Sequence, residues 1–158
     1  MAATSTDRTE DLDFIEVDFN RPLPHLDTQG GKAFAARDNR RPRQDVYAVV
    51  QRPGVPPRAE LFRKLVTTPA VNLVNPTFQG VTTVKIDGES REALITLCEF
   101  PGERPMLLPK ERSSSVPFPV IRQTILPACI RALQALHSRG IYHRTIRPDT
   151  VFMSGGGS

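Results

Sequence analysis

The side chains with chemical potential gather at His143-Arg144-Thr145-Ile146-Arg147-Pro148-Asp149-Thr150, which combines one imidazole, two guanidiniums, two hydroxyls and one carboxylate. Thr145 and Thr150 are neutral hydroxyls, and neither serves as a base near neutral pH. Asp149 is the only carboxylate of the run and reads as a turn or helix-cap residue. Elsewhere the reactive types are dispersed. Cys98 and Cys129 sit in apolar surroundings without CxxC spacing or a neighbouring histidine, which reads as two buried structural thiols and a reducing compartment. His25, His137 and His143 combine with these cysteines in no standard zinc spacing, so no metal site is expected. Lys85 reads as a solvated strand lysine. Arginine makes up 17 of the 21 basic residues, and Arg37, Arg40, Arg41 and Arg43 form the one visible cluster. Its plainest reading is a solvated basic loop; its alternative is a nucleic-acid or acidic-partner patch.

The chain that must position these groups has 158 residues, one domain's worth, with 39% hydrophobic and 24% charged residues and a net charge of +4. Fifteen prolines argue against long uninterrupted helices, and the absence of tryptophan leaves little for stacking platforms. The first residues lack the apolar stretch of a signal peptide, and nothing approaches the ~18 apolar residues of a membrane span. A cytoplasmic protein without membrane contact is the expectation.

Local patterns supply the elements. Residues 1–20 are acidic (Asp7, Glu10, Asp11, Asp13, Glu16, Asp18) and read as a tail that docks locally through Phe14, Ile15, Val17 and Phe19. Ala33–Ala36 and the β-branched run Val46–Val50 read as strands, the second ended by Pro53-Gly54. Ala59–Val66 has a helical apolar face of Leu61, Leu65 and Val66. Residues 71–78 read as a packed loop. The pair Asp87-Gly88 between Val81–Ile86 and Glu92–Phe100 is a hairpin signal. A proline-rich hinge with Ser113–Ser115 precedes a helix over about Val120–Ser138, with Pro127 kinking it or opening a new segment and Arg139-Gly140 stopping it. Tyr142 is expected to be buried with its hydroxyl hydrogen-bonded. His137 is expected to cap or pack. The fold class is α+β.

Leu136-His137-Ser138-Arg139-Gly140-Ile141-Tyr142-His143-Arg144 resembles the end of helix E of a eukaryotic-type protein kinase running into its catalytic loop. The family continues HRD-[IL]-K-P-x-N; here the run is His143-Arg144-Thr145-Ile146-Arg147-Pro148-Asp149-Thr150, without a gap. The match is concentrated in about 18 residues, while residues 46–120 are similar only in element order and residues 1–30 show no likeness. The resemblance implies a small lobe, an antiparallel sheet plus one short helix, over 21–105. It further implies a hinge over 106–119 and the start of a large lobe over 120–158, with the chain stopping after the catalytic loop.

The resemblance also says which parts are missing. A kinase holds a carboxylate where Thr145 stands, a metal-binding asparagine where Thr150 stands and a lysine where Arg147 stands. Loss of a general base commonly costs ~10²–10⁴-fold in rate. The nucleotide-pairing lysine falls on Val50, with Gln51 turned to the other face of the strand. Glu60 is the one acidic candidate on the short helix for the usual ion pair, and there is neither a G-x-G-x-x-G nor an Asp-Phe-Gly. His143 and Arg144 remain as scaffold residues. The expectation is a catalytically impaired, pseudokinase-like regulatory or scaffold module. ATP and Mg²⁺ enter only if residual binding survives, and a protein partner or further chain covers the 120–138 helix. The alternatives are an atypical active Ser/Thr kinase fragment that transfers phosphate from ATP, and an arginine-rich binder of nucleic acid or acidic partners.

Overall fold

A computed structural model describes residues 12–56, 59–86, 88–102, 105–106, 116–143, 146 and 150–153. The architecture is α+β, as expected: a curled antiparallel five-stranded sheet and one main helix. Strands β1 (Ile15–Pro22), β2 (Gly31–Asp38) and β3 (Val46–Gln51) lead into helix α1 (Ala59–Thr67). Strands β4 (Pro76–Ile86) and β5 (Glu89–Glu99) follow, then a short helix α2 (Phe118–Val120), a π turn (Ile121–Ile125) and helix α3 (Leu126–His137). The described residues divide into two compact units, one within Met1–Pro57 and Thr77–Cys98, the other within Arg58–Pro76 and Glu99–Ser158.

In the first unit the strand order is β1-β2-β3-β5-β4, which leaves β1 and β4 as edges. The stretch read as a locally docking tail does dock, as an edge strand. Ile15, Val17 and Phe19 alternate with exposed Glu16, Asp18 and Asn20, the two-residue period of a half-buried strand. Ile15 pairs with Asp38 and Asp18 with Ala35, after which a bulge carries the strand to the Pro22–Phe34 pair. β4 starts at Pro76, five residues before the expected Val81. Proline is tolerated at the first position of an edge strand, because no neighbour needs its missing N–H.

The core of this unit is the inside of the curl. Phe34, Ala48, Val50, Val84, Ala93, Ile95 and Leu97 are buried together, and Ile15, Val17, Phe19, Ala36, Phe78 and Ile86 pack around them. Both edge strands therefore contribute to one cluster. Just before β1, the Phe14 ring meets Phe78 of β4 edge-to-face at 5.2 Å. A Cβ on Gly80 would stand 2.9 Å from the Phe78 ring and 3.3 Å from Leu12 Cδ1, so glycine is what lets Leu12 lie across β4. Over these rings lies Arg40, its guanidinium 3.7 Å from the Phe14 centroid and 5.1 Å from that of Phe78. Its Nε and Nη2 donate to Asp38 Oδ1 and Oδ2 at 3.0 and 2.9 Å, and its backbone N–H donates to Oδ1.

The second unit joins α1 to α3. Leu65, Ala70, Leu136 and Ile141 are buried together, flanked by Leu61, Leu73 and Ala135. Asn75 organises the connection between α1 and β4: its Oδ1 accepts from Ala70 N–H at 2.9 Å, and its Nδ2 donates to the Ala70 and Leu73 carbonyls. Asn72, at φ 57°, donates to the Ala128 carbonyl of α3, and Arg139 donates to the Thr68 carbonyl.

The expected disturbance at Pro127 is present as the π turn ahead of α3. The Leu126 N–H reaches Ile121 O rather than the carbonyl four residues back. Widening the chain there places Pro127 in the first turn of a new helix, where its missing N–H leaves no bond broken. Gly140, at φ +70°, stops α3 as expected, with Ile141 N–H bonded to Leu136 O.

The Arg40 hydrogen bonds hold the Asp38 carboxyl below its ordinary range, against the opposing effect of burial. A depressed folded-state pKa contributes stability that is complete above the unfolded value, about 4, and is lost as pH falls through the lower folded value. Urea melts of the wild type are therefore expected to lose stability as pH drops below about 4. Asp38→Asn should be less stable at pH 7, with part of that acid-limb slope removed.

Candidate functional site

The sequence places its chemistry in two regions, the inner face of β3 and the loop after α3. On β3, Ala48 and Val50 point to one face, two residues apart, and both lie in the packed interior, Val50 with only 2% of its surface exposed. At Val50, the position the resemblance assigns to a nucleotide-pairing lysine, the side chain is aliphatic and packed in one cluster with Phe34, Val84 and Ile95. Gln51 is half-buried, its side chain donating to the Val55 carbonyl and its own carbonyl accepting from Arg91 Nη2 at 3.2 Å.

Glu60 is exposed on α1. It pairs with Lys64 one turn along at 3.4 Å, an exposed i,i+4 pair of the kind worth only a few tenths of a kcal/mol. Lys85 is exposed on β4, as read from the sequence.

The connection between β1 and β2 has its own fillings. Leu23 and Leu26 are buried, and Pro24–Leu26 forms one 3₁₀ turn. Asp27 Oδ1 accepts the Ala33 N–H at 2.8 Å, Thr28 and Gly31 exchange backbone bonds, and Gly30 O accepts from Arg52 N–H. A phosphate cradle needs outward-facing N–H groups and no competing anion. This loop uses the Asp27, Thr28 and Gly31 amides internally and carries a carboxylate. The role of Asp27 depends on Ala33, a partner six residues away, which no local pattern announces.

In the loop after α3, His143 is half-buried, and Thr150, Val151 and Phe152 are half-buried with Val151 O accepting from Met106 N–H at 2.7 Å. Arg144, Thr145, Arg147 and Asp149 lie outside the described residues. Tyr142 corrects an expectation: it is 65% exposed, its ring beside that of His137 at 5.2 Å, instead of buried. Ile141 takes the inward position, because the Gly140 turn points it at Leu136 and sends the next side chain outward. The buried phenol is Tyr47, whose pKa is raised by burial and by contact with Cys98, so it stays protonated. Cys98 and Cys129 form no disulfide and are half-buried, less enclosed than expected.

The basic cluster is likewise reshaped. Arg40 is committed to Asp38 and the two phenylalanine rings, whereas Arg37, Arg41 and Arg43 are exposed. Among the described residues no group of three or more histidine, cysteine or acidic side chains could hold a metal ion. No helix among them is long and apolar enough to cross a membrane. No protein-family model matches the chain, and no curated protein matches it.

Val50 gives a direct experiment. Val50→Lys would introduce the cation that the resemblance places there but bury an ammonium in a dry cluster, a change expected to cost about 2–5 kcal/mol. Denaturant melts should show that loss, and calorimetry with ATP and Mg²⁺ should show no gained binding.

Proposed function

We propose that the chain is a pseudokinase-like module that works by binding and scaffolding and does not transfer phosphate. The observation that carries this reading is Val50, a 2% exposed core residue at the position where the resemblance requires a nucleotide-pairing lysine. Three further features support it. The element order, a strand hairpin, a third strand, one helix, two strands and then a long helix, is compatible with a small lobe entering a large one. The sequence after α3 keeps His143 and Arg144 but has Thr145 where the resemblance asks for the proton-accepting carboxylate. The β1–β2 connection bonds its Asp27, Thr28 and Gly31 amides internally and carries the carboxylate of Asp27, an anion that would repel phosphate.

Each lost part acts on the same step. Without a base the attacking hydroxyl keeps its proton, and without a lysine the phosphates have no fixed cation to hold them in line. A module of this kind keeps its frame because partners read the frame. The arginine-rich alternative is weaker, since Arg40, the centre of its cluster, is occupied by an internal clamp.

Thermal denaturation with millimolar ATP and Mg²⁺, run beside a radiolabelled phosphate-transfer assay on the same sample, tests the proposal. Neither a shift of the melting midpoint nor label incorporation is expected. A saturable shift together with transfer to protein would refute it.

A further inference from the structure

The connection between β2 and β3, within the first unit, concentrates positive charge on a short turn. Residues 37–45 hold four arginines and two aspartates, a net charge of +2. Asp38 is buried and taken by Arg40, so the turn shows solvent Arg37, Arg41 and Arg43 against one exposed carboxylate, Asp45. None of these three arginines forms an ion pair among the described residues.

The turn is fixed as well as charged. Asn39 N–H donates to Phe14 O at 2.8 Å, Arg41 N–H to Asp38 O at 3.0 Å and Gln44 N–H to Arg41 O at 3.0 Å. Arg40 N–H donates to Asp38 Oδ1 at 3.0 Å. Pro42 stands at the second position of the Arg41–Gln44 turn, where its fixed φ suits the bend. The Arg43 amide, at the third position, has no acceptor among the described residues. Arg41, Pro42, Arg43 and Gln44 together line an open concavity of about 530 Å³. Behind the Arg40 hydrogen bond, the charge of Arg41 also lowers the Asp38 carboxyl, which sets Arg41 close to the clamp.

Two guanidiniums and an uncommitted amide on one fixed turn are the donors that a phosphate monoester takes up, and its charge of about −1.5 to −2 matches them. The β1–β2 connection carries Asp27 and lacks such a set. In the β2–β3 turn the buried carboxylate, Asp38, is already answered by Arg40. From this we infer that the β2–β3 turn binds a phosphorylated side chain of a partner protein through Arg41 and Arg43. The inference names the partner class of the scaffold proposed above and rests on that reading for its purpose, but its evidence is separate.

The surroundings select among anions. Strand β1 presents exposed Glu16 and Asp18 opposite Arg37 and Ala35, so the positive charge is confined to the turn. A nucleic-acid backbone running on from it would meet carboxylates, where it needs a continued row of cations. The Phe14 and Phe78 rings lie beneath Arg40 and offer bases no stacking surface. Glu16 accepts from Asn39 Nδ2 at 2.8 Å and leaves the arginines open.

The test titrates the full chain, by fluorescence anisotropy, with two labelled peptide pools of about 12 residues, randomised around a fixed phosphoserine in one and a fixed serine in the other. The phosphorylated pool is expected to bind at least about tenfold more tightly, an advantage that shrinks as salt rises. Arg41→Gln with Arg43→Gln should remove that advantage and leave the thermal midpoint in place, since both side chains are exposed. Arg37→Gln, across from Glu16, should change affinity by less than about twofold. Equal binding of the two pools, no binding of the phosphorylated pool by folded protein, or an advantage that survives the double substitution overturns the inference. So does tighter binding of single-stranded RNA, which assigns the turn to nucleic acid, or of vesicles containing phosphoinositides, which assigns it to a lipid headgroup. Phosphopeptide binding by a protein that also transfers phosphate would refute the functional proposal and leave this inference standing.

Discussion

The sheet of the first unit is held in its curl by what fills it. Phe34, Val50, Val84, Ile95 and Leu97 occupy the concave side, and Ile15 and Phe78 from the two opposite edges close on the same cluster. Burial of each such side chain contributes about 1.5–3 kcal/mol, so the enclosed face is the main source of stability available to a sheet this small. Interiors packed to this degree have no spare volume for a ligand the size of a nucleotide. The constraint is simple: one face of one sheet cannot be both a dry core and a phosphate site.

Other features follow from that closure. A curled sheet brings its edges near each other, and Arg40 spans them, stacked on Phe14 and Phe78 and anchored by Asp38. Gly80 exists at the crossing because any side chain there would strike Leu12 or Phe78. In the second unit the equivalent fastening is polar. Asn75 satisfies three backbone groups of the connection leaving α1, and losing it would strand buried partners at a cost of about 1–3 kcal/mol each. The loop between β1 and β2 is fastened through its own carboxylate, Asp27, which accepts from the Ala33 N–H.

Much of this was legible in the residues. The β-branched run at Val46, the turn at Gly88 and the Gly140 stop are local signals, and local signals survive folding. The edge strand β1 was half-visible: Ile15, Val17 and Phe19 keep a two-residue period, but the acids between them resemble a solvated tail until a partner strand is known. The early start of β4 was hidden by Asn75-Pro76, a pair that breaks most strands and is tolerated here only at an edge. Arg40 looked like one of four basic loop residues, because its partners Phe14 and Phe78 are 26 and 38 positions away in sequence. The position of Val50 was named from the sequence, yet its enclosure depends on strands β2, β4 and β5 arriving together.

The central claim is that the concave face is core and not cleft. Methyl-resolved NMR of the Ala48, Val50 and Ile95 groups during titration with ATP and Mg²⁺ tests it most directly, because these methyls line that face. The account predicts that their resonances stay in place up to millimolar nucleotide. Saturable shifts confined to those three residues would contradict it.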